Sequence, residues 1–137
     1  MEFNLSEILI IDDDETIKFV ECKMLRRMSF IRPIHCFKNG LEGLEFLRSQ
    51  ALDQVNHVQG LILLDLHMPV MDGWEFLNEF VRLDPLIISS YNIIIRSSSD
   101  NRVDIERAYS IHSIKEYLIK PLRPESLLSS FVKHGFV

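Results

Sequence analysis

Short aliphatic runs alternate with amphipathic stretches along the whole chain. Runs bounded by polar residues predict strands over Glu7–Ile11, Ile31–Phe37, Leu61–Leu64, Asn92–Ile95 and Lys115–Ile119. Between them apolar residues recur at helical spacing: Ile17, Val20, Met24 and Met28, then Leu41, Leu44, Leu47 and Leu52 after the Asn39-Gly40 turn. Trp74, Leu77, Phe80 and Val81 form a third stripe that ends at Asp84-Pro85, because a residue before proline disfavours helix. Val103, Ile105, Ala108, Tyr109 and Ile111 form a fourth. A fifth helix starts at Pro124, a suitable first-turn residue, and carries Leu127, Leu128 and Phe131.

Five strand–helix units with near-continuous aliphatic strands predict an α/β fold, a parallel sheet covered by helices on both faces. Ligands of such sheets gather outside the carboxyl ends of the strands. Residues just beyond the predicted strands therefore share one pocket: Asp12 and Asp13, then Asp65, Ser97 and Lys120. Ser98 is the neighbouring alternative in the serine run. Three carboxylates in one pocket repel, and a hard divalent cation such as Mg²⁺ relieves that repulsion through oxygen ligands. Asp65 ends a buried run and precedes Pro69 and the Asp72-Gly73 turn. Beside a metal, a hydroxyl and an ammonium, its carboxylate is placed to attack a phosphoryl group, whose oxygens Lys120 and Ser97 would hold. Asp14 and Glu15 read as acids at the start of a helix, facing water.

Composition narrows the field. The 137 residues suit one domain, and 47% hydrophobic with 26% charged residues is the balance of a globular chain. A net charge of −5 without a Lys/Arg run argues against nucleic-acid binding. No apolar stretch approaches the roughly 18 residues of a membrane span, and the acidic start is unlike a signal peptide, so the expected location is cytoplasmic. Cys22 and Cys36 lack CxxC spacing and are expected to be buried small hydrophobes. His35, His57, His112 and His134 lack metal-ligand spacing.

In order along the chain, the Asp12-Asp13 pair, Asp65, the Met68–Gly73 sequence MPVMDG, Ser97 and Lys120-Pro121 resemble the receiver domain of two-component response regulators, the CheY-like family. The resemblance covers essentially the whole chain. It implies a flavodoxin-like sheet in the order 2-1-3-4-5, and a single receiver domain over 1–137 with no output domain. It also implies that Asp65 accepts phosphate from a histidine kinase or histidine phosphotransfer protein. Asp12, Asp13, Asp65 and the backbone carbonyl of His67 would hold Mg²⁺. Ser97 would move toward the phosphoryl group, and Tyr117 would swing inward as an aromatic switch. The signal would pass to a partner protein, or the phosphate onward. Slow self-dephosphorylation would replace substrate turnover, with His67 and Ser99 lining the path of the attacking water.

Asp12-x-Asp14-x-Thr16 also resembles the DxDxT motif of haloacid-dehalogenase-type phosphohydrolases, with Asp12 as nucleophile and Asp14 as general acid. That alternative needs an acidic pair after the lysine, where only Glu125 stands, and it leaves Asp65 without a role. The resemblance to receivers has departures of its own. Arg96 stands where an interior strand should carry an aliphatic residue, so it either snorkels outward or pairs with an acid. The segments 49–59 and 84–91 are longer than the family's usual connections.

Overall fold

The computed structural model describes residues 2–137. Five parallel strands, β1 (Glu7–Ile11), β2 (Ile34–Phe37), β3 (Gly60–Leu64), β4 (Tyr91–Ser97) and β5 (Ile114–Ile119), form one sheet in the order β2-β1-β3-β4-β5. Alternation along the strands separates two cores. Leu9, Ile11, Ile62, Leu64, Ile93 and Ile95 face α2 (Gly40–Arg48), α3 (Leu52–Val55), α4 (Gly73–Phe80), α5 (Pro85–Ser90) and α6 (Arg102–Tyr109). Ile8, Ile10, Leu61, Leu63 and Ile94 face α1 (Glu15–Arg27) and α7 (Pro124–Lys133). Among the described residues, no helix is long and apolar enough to cross a membrane.

Local chemistry sets the helix starts. Asp14 caps α1 by accepting from the N–H groups of Thr16 and Ile17, and Asn39 caps α2 through the N–H of Glu42. Asp72 and Glu75 form a reciprocal capping box at α4. The guanidinium of Arg107 in α6 lies 4.1 Å from the centre of the Trp74 ring, tying α6 to α4 through a cation–π contact.

Several expectations are corrected. β2 begins at Ile34 because Pro33 lacks an N–H for the ladder; Ile31 is 87% exposed. The apolar stripe of α1 is rotated: Lys18, Glu21, Met24 and Leu25 are buried, while Val20 is 48% exposed. Leu52, Val81, Val103 and Tyr109 are likewise exposed. The long segments are structured, since they contain α3 and α5. These pack together through Val55 and Ile87, and the Ser90 hydroxyl donates to the Val55 carbonyl at 2.8 Å. The cysteines are not both buried: Cys22 is half-buried against the core beneath α1 and α7. Both are free thiols, Cys36 is exposed, and their sulfurs lie 3.7 Å apart across α1 and β2. Burial and the neighbouring Cys36 push the Cys22 thiol up to about 11.

The loop between β3 and α4 contains a tight turn. Met71 N–H donates to the Pro69 carbonyl at 2.8 Å, and the intervening Val70 has φ of 69° while 73% exposed. A left-handed conformation costs an L-residue roughly 1–2 kcal/mol, and a β-branched side chain suits it poorly. Val70→Gly is therefore expected to raise stability by about 1 kcal/mol in urea unfolding. An unchanged or lowered midpoint would contradict the strain.

Candidate functional site

The strand register builds the site. Ile11 is level with Leu64, and Leu64 with Ile95, so Asp12, Asp65 and Arg96 stand one step further at the same rim. Backbone bonds fix the level: Asp12 N–H donates to the Phe37 carbonyl and Asp65 N–H to the Ile11 carbonyl, each at 3.0 Å. At β5, Lys120 N–H donates to the Ser97 carbonyl at 2.8 Å, and a cis Lys120-Pro121 bond follows. Gly73 closes the rim from the α4 side. Its N–H donates to the Leu66 carbonyl, and a Cβ there would sit 2.5 Å from the Asp65 carbonyl oxygen.

Asp12, Asp13 and Asp65 bring carboxylate oxygens within 4.8 Å of one another. Asp12 and Asp65 are buried and Asp13 is exposed. The Lys120 ammonium bridges the buried pair, 3.1 Å from Asp12 Oδ2 and 3.3 Å from Asp65 Oδ1. Arg96, expected either to snorkel outward or to pair, does the latter. It is fully buried, forked on Glu21 and 3.3 Å from Asp12 Oδ2. Four carboxylates therefore meet two cations, leaving two negative charges. Hard oxygen donors with that surplus fit a divalent ion such as Mg²⁺.

The fold disfavours ionisation of Asp65. Burial raises its pKa first, the Asp12 charge raises it further, and Lys120 and Arg96 only partly oppose them. The neighbouring candidates fall as follows. Ser97 is the buried serine at the end of β4, with its hydroxyl accepting from Ser99 N–H at 3.1 Å, whereas Ser98 is exposed. His67 is exposed, with its N–H 3.5 Å from Asp65 Oδ1. The Tyr117 ring already lies inside, 8% exposed, and its hydroxyl donates to the Ser99 carbonyl at 2.9 Å. Asp14, the second acid of the phosphohydrolase alternative, is engaged as the cap of α1. His35 faces Glu7 and His134 faces Glu116, both away from the acids at the rim.

Glu21 is the residue that sequence reasoning missed. It lies within the apolar stripe of α1, four residues after Ile17 and four before Leu25. An acid in a buried stripe and a base in a buried strand are complementary anomalies, and pairing them would have found it.

Residues 8–131 match the model of the response regulator receiver domain, and the chain belongs to that family. It is therefore a signalling domain of two-component systems rather than a conventional enzyme, and the phosphohydrolase alternative falls away. The chain is 32% identical over 120 residues to the probable methanogenesis regulatory protein FilR2 of Methanothrix harundinacea, covering 88% of this chain and 75% of FilR2. It is 33% identical to the two-component response regulator ARR14 of Arabidopsis thaliana, but spans only 28% of that protein and 88% of itself. A response regulator receiver protein from Dyadobacter fermentans superimposes with a TM-score of 0.79 at 27% identity, covering 93% of this chain and 95% of the other. These neighbours share the CheY-like fold expected from the motifs.

Because the folded state holds the Asp65 carboxyl above its ordinary value of 3.8, ionised Asp65 opposes folding at neutral pH. In Mg²⁺-free buffer, Asp65→Asn is expected to raise the thermal midpoint at pH 7. The gain should shrink as pH falls and vanish once the carboxyl is protonated in both states. A midpoint unchanged or lowered at pH 7 would contradict this.

Proposed function

We propose that residues 1–137 act as a phosphorylation-controlled receiver. In this reading Asp65 accepts a phosphoryl group from a histidine kinase or a histidine phosphotransfer protein, and the altered surface then signals to a partner protein or the group is relayed onward. The observation that carries this reading is the Lys120 ammonium, delivered from the far end of the sequence to within 3.3 Å of both Asp12 and Asp65.

One Asp65 oxygen attacks phosphorus as the bond from phosphorus to the donor's leaving group breaks. Lys120, already at the carboxylates, neutralises the oxygens of the transferring group, and the Ser97 hydroxyl donates to one of them. Asp12, Asp13, Asp65 and the His67 carbonyl would hold Mg²⁺, which supplies charge neutralisation and a template for the phosphoryl oxygens. The buried carboxylates and the exposed Asp13 leave the site open on one side for a donor. His67 and Ser99 flank the route by which water would later hydrolyse the acyl phosphate, giving slow self-dephosphorylation. In this reading the protein would meet its kinase donor in the cytoplasm.

A continuous set of contacts supports transmission. Ser97 Oγ accepts from Ser99 N–H, the Ser99 hydroxyl donates to Asp104 in α6, and the Ser99 carbonyl accepts from Tyr117. Tyr117 N–H donates to the Tyr109 hydroxyl at 2.9 Å. A shift of Ser97 toward a phosphoryl oxygen would thus disturb the loop that holds Tyr117, and with it the surface of α6, β5 and α7. Such a shift acts as a switch by biasing two packed arrangements.

Incubation with acetyl phosphate and MgCl₂ is expected to add one hydroxylamine-labile phosphate, absent in Asp65→Ala. Label retained in that variant would remove Asp65 as acceptor. Separately, Tyr117→Ala should still take up phosphate while losing the phosphorylation-dependent change in hydrogen exchange over α6. An undiminished change would remove Tyr117 from the switch.

A further inference from the structure

The buried Arg96–Glu21 pair has a geometry that neutralisation alone does not require. Arg96 Nε and Nη2 fork onto Glu21 at 2.9 and 2.6 Å, which satisfies the charge. Yet Nη2 also reaches Asp12 Oδ2 at 3.3 Å, and Nη1 reaches the Ile11 carbonyl at 3.3 Å. An aliphatic side chain would fill this strand position without desolvating two ions, as Ile94 does two residues earlier on the same face. Asp12 is correspondingly engaged on both oxygens. Its Oδ1 accepts from Asp14 N–H at 2.9 Å, and its Oδ2 is shared by Lys120 and Arg96.

We propose that Arg96, aligned by Glu21, is a positioning residue that holds the Asp12 carboxylate and weakens Mg²⁺ binding at the acidic site. The proposal rests on the reading of Asp12, Asp13 and Asp65 as a Mg²⁺ site. Arg96 presents the positive end of a buried dipole to the carboxylate of Asp12, one of the three acids that would hold the metal. Glu21 determines how much of that positive charge the site feels. The pair thereby fixes Asp12 before any ion arrives and raises the Mg²⁺ concentration at which the site fills.

The single and the double variant are expected to shift Mg²⁺ binding in opposite directions, which a purely structural pair does not predict. Glu21→Gln keeps the shape and leaves the guanidinium uncompensated, so Mg²⁺ should bind several-fold more weakly. The double variant Glu21→Leu/Arg96→Leu removes the dipole without changing net charge, and Mg²⁺ should bind about tenfold more tightly. The measurement is calorimetric titration of each protein with MgCl₂ at constant ionic strength, with circular dichroism confirming the fold. Should the leucine pair fail to fold, Glu21→Gln/Arg96→Gln takes its place with the same expected tightening. Shifts in the same direction, or no shift in either variant while wild type binds Mg²⁺, would overturn the role of Arg96 and leave the metal site standing. Absence of Mg²⁺ binding by wild type would instead overturn the reading of the site itself.

Discussion

Crowded negative charge at the carboxyl edge of the sheet is the constraint around which the molecule is organised. A parallel sheet brings the ends of β1 and β3 side by side, so Asp12 and Asp65 meet where water is scarce. Repulsion there is tolerable only because the opposite charge comes from distant segments: Lys120 from beyond β5, and Arg96 from inside β4 with Glu21 behind it. Two aliphatic cores supply the stability against which this local conflict is held. The raised pKa of Asp65 is the measure of what remains unresolved. A carboxylate left this poorly neutralised is also one ready to react, so the stability lost at the rim and the proposed chemistry have one origin.

Much of this was legible in the sequence, for identifiable reasons. The aliphatic run that ends abruptly in acids predicts β1 at its observed bounds, and Asp14 caps α1 as its position at a helix start predicts. The convergence of Asp12, Asp65 and Lys120 follows from their places just beyond the strands of a parallel sheet. What stayed hidden depended on pairs that only tertiary structure creates. Hydropathy favours burial of Val20 over Glu21, yet Arg96 draws Glu21 inward and turns the helix. α3 and α5 were too short to show helical periodicity, and each borrows its stability from the other. The proximity of Cys22 to Cys36 followed from how α1 lies on β2, which no spacing rule encodes.

The two faces of the sheet have different duties. The α1 and α7 face holds the aliphatic floor on which the ionic contacts rest, and Arg96 projects from β4 into it. The opposite face carries the serine–tyrosine contacts leading from Ser97 to α6 and β5. Arg96 and Ser97 are adjacent in sequence and point to opposite sides, so one strand end belongs to both systems. The charge balance at the rim and the hydrogen bonds beneath α6 are therefore linked through a single peptide unit.

The joined α3 and α5 sit before the starts of β3 and β4, at the end of the sheet opposite the acids. Ser90 reaches Val55 across the gap, so the two segments are a single bracket and not separate ornaments. Trimming either one would leave the other with an exposed apolar side and would break the hydrogen bond from Ser90 to Val55. In an evolving lineage these two segments would have to be gained, kept or discarded together, while the chemistry at the opposite end continued undisturbed.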